Sequence, residues 1–294
     1  MTDTTDTILL GAHVSTAGGV SKAPARGAEI GATAIQLFTK TPSQWAEPTL
    51  TADEVSRFKS EKKRTGIVVV VSHDSYLINL ASPDPSLQNK SIASFKSELE
   101  RCRALGIRFV VTHPGNFLDD RDAGMLRNAA AYTECLETVS GPMILIETTA
   151  GSGTALGSTF EELAELRRLI PARLRRRVGF CADTCHIYSA GYDIASDWEK
   201  VWAEWESTVG LNLLKCIHLN DSKTPFGSHK DRHEWIAEGT LGAEPFRRVM
   251  QDPRFRGIIK LIETPKGDDA TKHDRRMLRR LRAYGRKQRQ RRSE

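Results

Sequence analysis

The chain has 294 residues, 39% of them hydrophobic, and a formal net charge of +6. That length and hydrophobic share build a full core and exclude a disordered chain, and no apolar run approaches the ~20 residues that cross a bilayer. Five cysteines without framework spacing fit free thiols, and MTDTTDTILLGAHV shows no basic start followed by an apolar stretch, so a cytoplasmic protein is expected.

Taken in order, β-rich apolar runs recur along the chain: ILLGAHV (8–14), ATAIQLF (32–38), GIVVVVSH (66–73), RFVVTHP (108–114), MILIET (143–148), RVGFCADT (177–184), LKCIHLND (214–221) and GIIKLIET (257–264). Between them lie stretches such as SLQNKSIASFKSELERCRALG and TFEELAELRRLI, apolar at three- and four-residue spacing, with a glycine such as Gly106 in C-cap position. Strands alternating with helices imply βαβ units and a parallel sheet. Eight such units predict a (β/α)8 TIM barrel of one domain over residues 1–284. The open doubly wound alternative lacks a G-x-G-x-x-G turn after the first strand.

The last helical stretch carries Met277, Leu281 and Tyr284 at helical spacing, and residues 285–294 read as a disordered basic tail. Thr271 to Glu294 hold eleven Lys/Arg against two acids, so the rest of the chain is slightly acidic. A basic extension on an acidic body points to a polyanion partner or to a merely solvated end.

Chemistry gathers at the strand ends. His73 closes the third run, His113 the fourth, Glu147 the fifth and Asp183 the sixth, with His186 just beyond; His218 and Glu263 follow on the seventh and eighth. In a parallel barrel the C-terminal strand ends surround one mouth, where active sites are built. Carboxylates crowded there would raise one another's pKa values, and cations resolve that conflict. Imidazole with carboxylate suits zinc or a similar borderline metal. Asp231 and His233 in KDRH share a face if extended and could close on a metal with His186. The heptapeptide FCADTCH (180–186) also holds Cys181 and Cys185, one residue too far apart for a C-x-x-C pair. Cys181 is expected one layer deeper in the barrel as a small core residue, and Cys185 in a loop.

The motifs GAHVSTAGG (11–19), HDSYLINL (73–80), THPG (112–115), IETTAG (146–151), ADTCH (182–186), HLNDSK (218–223) and KDRH (230–233) resemble, in this order, the endonuclease IV family, zinc-dependent apurinic/apyrimidinic endonucleases of base-excision repair. The resemblance runs to IETP (262–265), nearly the whole chain apart from the tail. It implies three Zn²⁺ ions: one on His73, His113 and Glu147, a second on Glu147, Asp183, His218 and Glu263, and a third on His186, Asp231 and His233. It further implies hydrolysis of the phosphodiester 5′ to an abasic site, leaving a 3′-hydroxyl and a 5′-deoxyribose phosphate, and removal of 3′ blocking groups. Glu147 would orient the attacking water and take its proton.

Damaged double-stranded DNA is the implied partner, and a monomer is the default expectation. The loop TKTPSQWAEP (39–48) matches the family's minor-groove loop, with Gln44 entering the base stack and Tyr76 filling space beside a lesion turned out of the helix. Trp45 is expected to anchor that loop by packing. Three positions depart from the family: Ser43 replaces an arginine wedge, Thr148 the asparagine after the bridging glutamate, and Ala237 a glycine. His13 is expected to support the ligands, and His229 and His273 to be surface residues. Two rivals stand beside this reading: a metal-dependent sugar isomerase or epimerase on a xylose isomerase-like barrel, and a DNA-binding protein with structural metals only. The first needs no DRH segment; the second predicts binding without cleavage.

Overall fold

A computed structural model describes residues 7–286. Its strands are β1 (Leu10–His13), β2 (Ala34–Leu37), β3 (Val69–His73), β4 (Phe109–Thr112), β5 (Met143–Glu147), β6 (Val178–Asp183), β7 (Leu214–His218), β8 (Asp221–Ser222), β9 (His233–Glu234) and β10 (Ile259–Ile262). Eight of them close into a parallel barrel in the order β1-β10-β7-β6-β5-β4-β3-β2, with β8 and β9 forming a separate antiparallel pair. Each predicted apolar run contains one barrel strand, so the (β/α)8 expectation holds.

The α-helices are α1 (Ala23–Glu29), α2 (Ala52–Thr65), α3 (Pro85–Leu105), α4 (Arg121–Thr138), α5 (Phe160–Leu169), α6 (Thr184–Ser189), α7 (Trp198–Thr208), α8 (Glu244–Gln251) and α9 (Ala270–Gly285). Their starts follow local chemistry. Thr51, Asp84, Asp120, Thr159 and Asp269 each accept a hydrogen bond from a backbone N–H of the first turn, which is worth about 1 kcal/mol per helix. Gly106 ends α3 at φ 74°, a left-handed conformation that glycine adopts without Cβ strain.

Two apolar layers hold the barrel. The strands' inward side chains, among them Val71, Val111, Leu145, Cys181, Cys216 and Leu261, fill its interior. Their outward neighbours, such as Ile35, Val110, Ile146 and Ile262, pack under the helices, where Trp198, Trp202 and Phe255 stack in tilted and edge contacts. With both faces covered, the strands must be apolar nearly throughout, and polar side chains are tolerated only at their ends. Those ends form the mouth. In α9 Met277 and Leu281 are fully buried; the basic residues beyond Arg286 lie outside the described residues. Among the described residues, no helix is long and apolar enough to cross a membrane.

Candidate metal centre

His73, Glu147, Asp183 and His218 are the last residues of β3, β5, β6 and β7, and His113 and Glu263 follow β4 and β10 by one position. Parallel register sets them side by side: Glu147 lies beside Cys181 and Asp183 beside His218. His186 is reached through α6, which Asp183 itself caps by accepting from the Cys185 and His186 amides at 2.7 and 3.1 Å. The β8–β9 pair, not anticipated from sequence, folds the segment after β7 back so that His233 is held in register with Ser222. The nine sequence-predicted residues thus meet at one mouth.

They fall into three overlapping groups, in each of which ligand-type atoms lie within 4.8 Å of one another: His73, His113 and Glu147; Glu147, Asp183, His218 and Glu263; and Asp183, His186 and His233. Asp231 completes the third, its two oxygens 3.2 Å from His186 Nε2 and 3.1 Å from His233 Nε2. Glu147 turns Oε2 toward His73 and His113 Nε2, at 3.2 and 3.3 Å, and Oε1 toward His218 Nδ1 at 2.8 Å. One carboxylate therefore faces two groups. Asp183 Oδ2 also faces two, 3.8 Å from His218 Nδ1 and 3.6 Å from His233 Nε2.

The residues fit metal ions on two counts. Nitrogen or oxygen ligands about 2.0–2.1 Å from a tetrahedral zinc lie about 3.3–3.4 Å apart, and the observed separations of 2.8–3.8 Å straddle that value. Moreover, the buried Nε2 atoms of His186 and His233 make no hydrogen bond, although carboxylate oxygens stand within 3.2 Å. The contacts have the length of a hydrogen bond but not its angles. A shared ion would give both nitrogens the partner they lack.

The opposite ring nitrogens are tied down, which fixes tautomer and orientation. His73 Nδ1 donates to Asp74 O at 3.0 Å, and His186 Nδ1 to Thr148 O at 2.8 Å. His218 Nε2 donates to Gln36 Oε1 at 2.8 Å, leaving Nδ1 for the centre. Gln36 Nε2 in turn donates to Glu263 Oε1 at 2.5 Å. Asn220 donates to Asp183 Oδ2 at 2.7 Å and accepts from the Glu263 amide at 2.8 Å. Thr148 supplies its hydroxyl oxygen to the Asp183 amide at 2.9 Å, so threonine at this position still fixes the backbone of a candidate ligand. His13, expected to support the ligands, lies 3.5 Å from Glu263 Oε1 and 3.0 Å from Gln36 Nε2.

Electrostatics show how strongly opposed charges are packed. Burial would raise the Glu147 carboxyl, but the imidazoles of His218, His113 and His73 outweigh it and hold the group well below the usual range. Burial would lower His73 and His233, yet Glu147 beside the first and Asp183 and Asp231 beside the second push both up to about 9. His113 is lowered instead, by burial first, and so is His13. The mouth is an open cavity of about 480 Å³ whose lining adds Tyr76 and the cations Lys223, Arg232 and Lys266.

The sequence model of the xylose isomerase-like TIM barrel family matches residues 24–281. Probable endonuclease 4 of Chloroflexus aggregans is 50% identical over 264 residues, covering 88% of this chain and 92% of that protein. Its counterpart in Geobacter sulfurreducens is 45% identical over 265 residues, 88% and 89% of the two chains. The crystal structure of endonuclease IV from Thermus thermophilus superposes with a TM-score of 0.83 at 36% identity, covering 94% of this chain and 98% of that one. The chain belongs to the endonuclease IV family. A D-psicose 3-epimerase from Clostridium cellulolyticum superposes with a TM-score of 0.63 at 13% identity, a likeness of fold alone.

Around this candidate centre, three expectations need revision. Trp45 is 37% exposed and does not anchor its loop. Arg101 does, donating to Thr39 O at 2.5 Å and Pro48 O at 2.8 Å, together with an ion pair between Lys40 and Glu47. Ser43 and Gln44 are exposed at the tip of that loop, and Ser75 ties it to the Tyr76 segment through Pro42 O at 2.6 Å. Cys185 is buried in α6 and not in a loop, because the Asp183 cap starts the helix one residue before it. His273 is mostly covered, stacked on Trp235 at 4.8 Å. His229 is exposed as expected, though its ring contacts Ala150 O at 3.2 Å. Gln36 and Asn220 were missed because amides carry no metal signature; a glutamine inside the buried run ATAIQLF was the available sign.

Proposed function

We propose that the chain is a DNA-repair hydrolase that cleaves the phosphodiester 5′ to abasic sites in duplex DNA and clears 3′ blocks, using three zinc ions held by the nine residues above. The observation that carries this reading is the sharing of Glu147 and Asp183 between adjacent groups, which sets three ligand clusters side by side at one mouth. When bound, zinc supplies Lewis acidity toward phosphoryl oxygens and brings the ionisation of water near about pH 7.

The chain's own groups do the rest. Glu147, held anionic, orients the attacking water and takes its proton. Lys223, Arg232 and Lys266 at the rim draw the phosphate backbone toward the centre. Tyr76, 71% exposed and braced edge-on by Phe38 at 5.2 Å, stands where a nucleotide turned out of the stack would pass. Gln44 enters the duplex beside it. Ser43 is too short to fill the gap an arginine would fill, so Gln44 and Tyr76 carry more of the lesion recognition.

All nine residues come from one chain, which supports a monomer, and five free, buried cysteines fit a reducing cytoplasm. Residues 1–284 form the catalytic domain, and the basic residues from 285 on add phosphate contacts. Mapping the ends left on a duplex with one abasic analogue tests the reading. A 3′-hydroxyl and a 5′-deoxyribose phosphate are expected; a β-elimination product, or no incision by zinc-loaded protein, contradicts it.

A further inference from the structure

Directly beneath the carboxylates and imidazoles, the inner layer of the barrel holds two thiols among aliphatic side chains. Cys181 on β6 and Cys216 on β7 are register partners on adjacent parallel strands, both fully buried in the layer of Val71, Val111, Leu145 and Leu261. Their sulfurs and a ring nitrogen of His218 lie within 4.8 Å of one another. We propose that Cys181, Cys216 and His218 form a separate site for soft, thiophilic dications such as Cd²⁺, whose occupation withdraws His218 from Glu147, Asp183 and Glu263. The withdrawal, though not the site itself, rests on His218 serving the metal centre.

Three features argue for it. Zinc–sulfur bonds of about 2.3 Å place two thiolates about 3.8 Å apart, and the larger Cd²⁺ sets them somewhat wider, within reach of side chains on strands spaced about 4.8 Å. Each thiol gives up its proton on binding, and two thiolates neutralise a dication, so the filled site adds no net charge to an apolar layer. Two sulfurs and one imidazole favour soft cations over the oxygen-preferring hard ones, unlike the carboxylate-rich groups above. His218 cannot serve both places at once. Its Nε2 proton is committed to Gln36 Oε1, so a cation among the sulfurs competes for the Nδ1 lone pair that faces Glu147 Oε1.

The third buried thiol nearby, Cys185, lies within 4.8 Å of Asp231 and His233 and offers a one-sulfur alternative that the experiment must separate. Zinc-loaded full-length protein is equilibrated with CdCl₂ in excess zinc, slowly, because the sulfurs are reached only by local opening. The ultraviolet thiolate-to-cadmium charge-transfer band is then recorded without DNA. A band saturating at one cadmium per chain is expected in the wild type and in Cys185→Ala, and is lost in Cys216→Ala and in the size-matched Cys216→Ser. The cadmium concentration that halves incision should rise about tenfold or more in the Cys216 variants. No band in folded wild type, a band that survives both Cys216 variants, or one lost in Cys185→Ala overturns the proposal. Failure of every variant to incise DNA, with the band behaving as stated, would instead overturn the nuclease reading.

Discussion

Gln36 offers the sharpest perturbation of the centre without touching a proposed ligand. Its single amide accepts from His218 Nε2 at 2.8 Å and donates to Glu263 Oε1 at 2.5 Å, and it is fully buried. Gln36→Ala strands the His218 N–H in the protein interior, a desolvation cost of about 1–3 kcal/mol, and frees two groups of the middle cluster to turn. Loss of such a support typically weakens a metal about 10- to 100-fold, or about 1.4–2.8 kcal/mol. Gln36→Glu is close to the same size and can still accept from His218, but it sets a carboxylate against Glu263 where an N–H stood. It should therefore lose metal at least as readily as the alanine variant. The assay is zinc retained per chain after dialysis against a graded series of chelator concentrations, with circular dichroism confirming the fold. Wild-type zinc affinity in Gln36→Ala would refute the claim that this amide holds the site together.

Further outcomes follow from the same geometry. With His73 and His233 raised to about 9, both imidazoles are protonated at pH 7 in the metal-free chain, so loading zinc should release protons, fewer as the pH passes 9; calorimetry in buffers of differing ionisation enthalpy counts them. Because both are raised from 6.5, their contribution to metal-free stability is complete below about pH 6.5 and lost as pH rises through 9, so the metal-free melting temperature should fall across that window. Ala237 sits at φ 61°, where a Cβ costs about 1–2 kcal/mol, partly offset by the freedom glycine has when unfolded; Ala237→Gly should stabilise by a few tenths to about 1 kcal/mol in chemical denaturation. Deleting residues 287–294, which include four Lys/Arg, should flatten the salt dependence of DNA binding by up to about 3–4 units of log–log slope, and an unchanged slope would deny the tail its phosphate contacts.

The barrel was legible because strands covered on both faces must be apolar throughout, so a histidine or carboxylate closing such a run stands out, as His73 and Glu147 do. Six of the nine candidate ligands were legible for the same reason, one residue per strand end. What spacing along the chain could not show was the fold-back of β8 and β9 that brings Asp231 and His233 over Asp183, since two-residue strands carry no periodicity. Nor could it show Arg101, an ordinary helix residue by sequence, as the support of the Thr39–Pro48 loop, because that role depends on a contact 53 to 62 residues away. Trp45 was misjudged by a related route: aromatic residues are usually buried, and only the loop's path shows this one in solvent.

The most direct test of the central claim joins metal content to cleavage. Wild-type protein and Glu147→Gln are assayed for zinc per chain and for incision of a duplex carrying one abasic analogue. About three zinc ions in the wild type, incision 5′ to the lesion, and loss of incision in Glu147→Gln are the predicted result. Full incision by Glu147→Gln, or incision by wild type holding a single metal, would contradict it.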